Sequence, residues 1–186
     1  MELILASNSP RRRELLARLT SDFTVVPSRI DEHATGSPEA QAVEIARAKA
    51  RAVEGSRPAV IVGADTMVVI GGSILGKAKN RDDAKAMLRQ LSGHEHSVFT
   101  GLFVWNTETD ETREHCEETR VVFRPLDDPE IEAYLDTDEY RDKAGAYAIQ
   151  GAAAIFISGI HGDYTNVMGL PLCRTALLLR EVGLRL

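Results

Sequence analysis

Apolar positions along the chain come in short runs separated by polar turns, and the spacing changes from run to run. Residues 2–6 read as a short strand that leads directly into a helix over 10–19. Ser9 stands at the N-cap of that helix, Pro10 at its first position, and Leu15, Leu16 and Leu19 on its apolar face. A second strand is expected over 23–27, followed by the polar loop SRIDEHATG. Ser37 and Pro38 then open a helix whose periodic stripe is Ala42, Ala46, Ala50 and Val53. PAVIVGADTMVVI is continuous and apolar on both sides of GADT, the pattern of a buried strand, and IGG turns it into SILG. Asn80 starts the next helix, with Asp83 at the reciprocal capping position and Ala84, Met87, Leu88 and Leu91 behind it.

The second half follows the same alternation. LSGHEHSVFTGLFVWN ends the helix and enters a long strand, and TDETREHCEETRVVFR reads as its antiparallel partner, although charge-rich 109–120 also suits a helix. DDPEIEAYL opens a helix with Ile131, Tyr134 and Leu135 inward. After the loop EYRDKAGAYAIQG, AAIFISGI reads as a strand, HGDY as a turn and GLPLCRTALLLREVG as the last helix. Strands and helices alternate without an internal repeat, so the expected fold class is α/β with a mixed sheet and flanking helices.

Composition narrows the function classes. Hydrophobic residues make up 44% and charged residues 27%, the balance of a chain with a packed core. No apolar run approaches the roughly 20 residues of a membrane span, and the first apolar segment runs into arginines instead of a cleavage region. A cytoplasmic protein without membrane partners is expected. Cys116 and Cys173 form no paired metal motif, which is compatible with a reducing compartment. The net charge of −6 argues against a general nucleic-acid surface but leaves room for a small anion site and a divalent metal.

Candidate chemistry concentrates at a few positions. Arg11, Arg12 and Arg13 occupy the first helical turn, where backbone N–H groups and the helix dipole already make positive potential. An anion such as phosphate would complete the arrangement, with the hydroxyls of Ser7 and Ser9 beside it. A solvated cluster answered by Glu14 or by other acidic residues is the alternative. Asp65 and Thr66 interrupt the most apolar strand. A buried carboxylate needs water, metal, a cation or several donors, so Asp65 suits holding a divalent ion or orienting an attacking water, unless it only caps a turn. Lys49, Lys77, Lys79 and Lys143 are potential partners for phosphates or carboxylates. Gln150 carries an amide that can donate to and accept from a pyrimidine, or equally satisfy its own loop. His94 and His96 make at most a weak two-histidine metal site.

In combination, LASNSPRRREL, IDE, ARAKA, VGADTMVV, ILGKAKN, LSGHEHSVFTG, DEYRDKAGAYAIQG and GDYTNVMGLPL resemble, in order and nearly end to end, the Maf family of nucleoside triphosphate pyrophosphatases. The resemblance implies a single domain over 1–186 with the elongated, two-lobed Maf/ITPase-like fold and a central cleft, commonly a homodimer. It implies hydrolysis between the α- and β-phosphates, giving a nucleoside monophosphate and pyrophosphate. By position it assigns Ser7, Ser9, Arg11 and Arg12 to the phosphate loop, and Glu32, Lys49, Asp65, Lys77 and Gln150 to the cleft. Asp65 matches the proton acceptor, Glu32 and Asp65 are candidate metal ligands, and Arg11, Thr66 and Gln150 match substrate-selecting positions. The implied cofactor is a divalent cation, Mg2+ with Mn2+ as substitute. GADT and YAIQG look like the dTTP/UTP branch. A 7-methyl-GTP pyrophosphatase and a non-catalytic nucleotide sensor in cell-division control are the alternatives. Asn8, Ala78 and Ala148 depart from the usual family residues without removing a charged group.

Overall fold

The computed structural model describes residues 1–53 and 58–186. Its strands are β1 (Glu2–Ala6), β2 (Thr24–Val26), β3 (Ala59–Ile70), β4 (Ser73–Leu75), β5 (Glu95–Asn106), β6 (Glu111–Phe123) and β7 (Ile157–His161). Its α-helices are α1 (Pro10–Leu16), α2 (Pro38–Arg51), α3 (Arg81–Leu91), α4 (Asp128–Leu135), α5 (Tyr164–Met168) and α6 (Leu172–Glu181). The sheet has the order β2-β1-β3-β5-β6-β7, with β4 paired to β3. Pairing is parallel for β1 with β2 and β3, and antiparallel for β3 with β4 and β6 with β7. The protein is α/β with a mixed open sheet, as the alternation predicts.

By its internal contacts the chain forms two compact units. The first takes in Met1–Thr66, Thr100–Glu117 and Gly169–Leu186, and the second Met67–Phe99 and Glu118–Met168. In the first, α2 lies against the sheet at unusually close range. A Cβ added to Gly63 on β3 would stand 2.0 Å from the Ala46 carbonyl oxygen, and one on Gly101 of β5 would stand 2.2 Å from the Ala42 backbone. The alanine stripe and these two glycines let helix and strand backbones touch. The apolar residues they bring together include Ile4, Ala46, Ala50, Ile61, Phe103 and Trp105. Lys49 and Arg51 sit in the last turn of α2, where the helix dipole favours cations, and Arg51 stacks over the Trp105 ring at 3.8 Å.

In the second unit β3 turns into β4 through Gly71 and Gly72, both at positive φ, the geometry of a tight hairpin that glycine adopts without strain. An aromatic core forms from edge-to-face contacts of Phe123 with His96, Tyr147 and Phe156, and of Tyr134 with Phe156. Helix α4 begins with a full capping box between Asp127 and Glu130.

Several sequence expectations shift in detail. The charge-rich stretch is strand, not helix, because β6 extends to Glu111 and alternates in burial toward its end. AAIFISGI is divided: Ala152–Phe156 forms a 3-10 helix and only Ile157 onward is strand. The small residues before Phe156 let the backbone coil so that Ala153 and Phe156 are buried. At α3 the Asn80 side chain accepts from Asp83 N–H, but Asp83 reaches the Lys79 N–H instead of closing the box on Asn80. A short helix, α5, forms after the HGDY turn, where the sequence reading has none.

Candidate functional site

The helix start at Ser9 and Pro10 forms as its residue types require. Ser9 is extended at the N-cap, and its hydroxyl faces the Arg12 N–H at 3.5 Å. Buried Ser7 accepts from the Ser9 N–H at 3.1 Å, so both hydroxyls are held at the helix entrance. Arg12 turns inward. Its Nε donates to the Gly169 carbonyl at 2.8 Å, one terminal nitrogen donates to Thr66 Oγ1 at 3.0 Å, and the other lies 3.5 Å from Ser7 Oγ. Burial lowers the pKa of this guanidinium, and the carboxylates of Asp65 and Glu32 oppose that shift by favouring the charge. Arg11 is half-buried in the same turn, whereas Arg13 is exposed. The solvated-cluster alternative therefore describes Arg13 but not Arg12.

Thr66 continues the chain of polar groups. Arginine only donates, so the Thr66 oxygen accepts from Arg12. Its other neighbour is the fully buried Thr100 hydroxyl at 3.0 Å. Next to it, buried Asp65 does not rest on a turn. The Lys49 ammonium lies 2.7 Å from Asp65 Oδ1 and 2.7 Å from Glu32 Oε1, bracketed by the two carboxylates. Lys49 is 6% exposed and Asp65 is 8% exposed, which accounts for the polar interruption in β3: each charge is buried because the other is there. The close approach of α2 at Gly63 carries Lys49 to this position.

Lys49, Asp65 and Glu32 thus converge, and Ser7, Ser9, Arg12 and Thr66 converge beside the start of α1. Lys77 and Gln150 belong to the second unit. There Lys77 pairs with Ala144 in an isolated antiparallel bridge, and the Gly145 N–H donates to the Leu75 and Gly76 carbonyls. Gln150 is exposed on a turn closed by the Gly151 N–H to the Ala148 carbonyl at 3.0 Å. Gly169 and Thr100 are the residues that sequence reasoning missed. A main-chain carbonyl leaves no signal in a side-chain pattern, and Thr100 differs from an ordinary strand threonine only through its neighbour.

The two histidines do not form a metal pair. His96 is buried with Nε2 at 2.8 Å from the Tyr147 hydroxyl, while exposed His94 places Nδ1 2.8 Å from the Ser92 carbonyl. Among the described residues no three His, Cys, Asp or Glu side chains gather as a metal cage. Glu32 and Asp65 each turn one carboxylate oxygen to the Lys49 ammonium, and carboxylates are the ligand type that Mg2+ takes together with substrate phosphates.

Fold and site together define a mixed-sheet α/β protein in which an arginine-rich helix start adjoins a buried Lys49–Asp65 pair that exposed Glu32 closes from the solvent side. Residues 2–182 match the Maf-like protein family, and the chain belongs to that family. It is similar to the dTTP/UTP pyrophosphatase of Pelotomaculum thermopropionicum, at 47% identity over 98% of this chain and 97% of the relative. The protein of the same name from Thermococcus gammatolerans is 48% identical over 97% of this chain and 96% of its own length. That from Thermoanaerobacter sp. is 44% identical over the whole of both chains. No helix among the described residues is long and apolar enough to cross a membrane.

Proposed function

We propose that this protein hydrolyses nucleoside triphosphates, dTTP and UTP before others, to the nucleoside monophosphate and pyrophosphate. The observation that carries the reading is full-length similarity at 44 to 48% identity to relatives that share that name. The pairing of buried Lys49 and Asp65 with Glu32 beside them supports it from the chemistry side.

In the reaction, water oxygen bonds to the α-phosphorus and the bond from that phosphorus to the α,β-bridging oxygen breaks, so pyrophosphate leaves with the bridging oxygen. Asp65 orients the water and takes its proton. Lys49, held by Glu32 and Asp65, fixes the direction of the Asp65 carboxylate and adds positive charge for the phosphates. Ser7, Ser9, Arg11, Arg12 and Lys77 bind the triphosphate, and the α1 N-terminus adds its N–H groups. Thr66 and Gln150 select the base. Glu32 and Asp65 are the residues that would hold Mg2+, with Mn2+ as a substitute; when bound, the ion polarises phosphate oxygens. A cytoplasmic homodimer is part of the same reading. It is supported by the family resemblance and, for the compartment, by Cys116 and Cys173, which are not joined in a disulfide.

A nucleotide panel with pyrophosphate detection, including 7-methyl-GTP, tests the assignment. Mg2+-dependent release of dTMP or UMP with pyrophosphate is expected, while tight binding without turnover would establish a sensor. Asp65→Asn protein should bind dTTP yet hydrolyse it about 100-fold more slowly or worse. Normal hydrolysis by that variant under matched Mg2+ removes Asp65 from the role.

A further inference from the structure

The turn bearing Gln150 is pinned by a carboxylate that the proposed reaction does not use. Glu139 lies in the loop after α4, and its Oε2 accepts from the Ala152 N–H at 2.8 Å. Gly151, between Gln150 and Ala152, has φ −104°, so its backbone conformation does not call for glycine. Space does. An added Cβ would stand 2.0 Å from that same Oε2 and 2.8 Å from the carboxylate carbon of Glu139. The Glu139 carboxylate therefore fills the volume that a side chain at 151 would need.

The other flank of the turn is fixed as well. The Ala148 N–H donates to the Tyr134 hydroxyl at 3.2 Å, and the Tyr147 hydroxyl is 2.8 Å from His96 Nε2. Residues 145–149 are buried, whereas Gln150 is exposed and makes no hydrogen bond to another described residue. The pins on each side hold the backbone of the turn from which the Gln150 side chain departs.

We propose that Glu139 is a positioning residue for base selection. By bonding Ala152 through the space Gly151 leaves, it fixes the direction in which Gln150 presents its amide and so sets discrimination between pyrimidines and 7-methylguanine. This rests on the base-reading role of Gln150.

Steady-state kinetics of full-length Glu139→Ala, Glu139→Gln, Gly151→Ala and Gln150→Ala protein on dTTP, UTP and 7-methyl-GTP test the proposal. Glu139→Ala should raise KM for dTTP about tenfold, the scale of one lost hydrogen bond to a charged group, with kcat nearly unchanged. The dTTP to 7-methyl-GTP ratio of kcat/KM should narrow accordingly. Glu139→Gln should restore KM, because its amide oxygen still accepts. Gly151→Ala should copy Glu139→Ala by expelling the carboxylate, and it carries the test if Glu139→Ala does not fold. A merely structural role would depress all substrates together. An unchanged ratio in Glu139→Ala alongside a narrowed ratio in Gln150→Ala overturns the role of Glu139 alone. An unchanged ratio in Gln150→Ala overturns the reading of Gln150 and this proposal with it.

Discussion

The Lys49 ammonium lies 2.7 Å from Asp65 Oδ1, both side chains are buried, and Glu32 completes the bracket at the same distance. Removing one partner of a buried pair strands the other charge, which typically costs about 3–5 kcal/mol. Because Lys49 acts on Asp65, its loss should appear in kcat. Lys49→Met is expected to lower kcat for dTTP at least about tenfold, to raise KM as a positive charge facing the phosphates is lost, and to lower the melting temperature. A KM rise at constant kcat would instead make Lys49 a ligand of the phosphates alone.

Gly63→Ala tests how that pair is assembled. The new methyl would meet the Ala46 carbonyl at 2.0 Å, so α2 has to move away from β3. Overpacking against rigid backbone should cost about 3 kcal/mol or more. Folded Gly63→Ala protein should also lose kcat, since Lys49 travels with the helix. Denaturant unfolding and kinetics on the same preparation check both; wild-type stability would show that the helix yields freely at this point.

Arg12→Lys separates geometry from charge. Lysine keeps the positive charge but cannot donate in fixed fork geometry to both Gly169 and Thr66. A stability loss of about 2 kcal/mol is expected together with a fall in kcat/KM for dTTP. An unaltered melting curve would show that the clamp on Gly169 contributes nothing to the fold.

His96 makes stability depend on pH in a definite direction. Burial lowers its pKa from 6.5 to about 4, so below pH 6.5 the unfolded chain takes up a proton that the folded chain refuses. Stability therefore falls as the pH drops from 7 toward 4, by roughly 2 kcal/mol between pH 7 and pH 5. Urea midpoints measured at pH 7 and pH 5 should show a smaller fall in His96→Gln protein than in wild type. Equal falls in the two proteins would exclude His96 as the source.

Local patterns identified the elements that rest on local physics. Ser9–Pro10, Ser37–Pro38 and Asp127–Asp128–Pro129 each marked a helix start because caps satisfy N–H groups within a few residues. The apolar run from Ala59 to Ile70 marked a buried strand because burial is written in residue type. Residues 153–156 read as the start of a strand because their composition suits either backbone, and packing of Ala153 and Phe156 decides for the 3-10 helix.

The sequence by itself determined which residue types carry the chemistry. A carboxylate at 65 inside an apolar strand demands a partner, and arginines in a helix's first turn ask for an anion or an acceptor, whatever the fold. Only the tertiary structure decided the partners. Asp65 received Lys49 because Gly63 lets α2 touch β3, and Arg12 received the Gly169 carbonyl from 157 residues away. Glu139 filled the space above Gly151 for the same kind of reason. Such pairings depend on how closely two backbones approach, a distance set by packing across the whole unit, and no stretch of neighbouring residues encodes it.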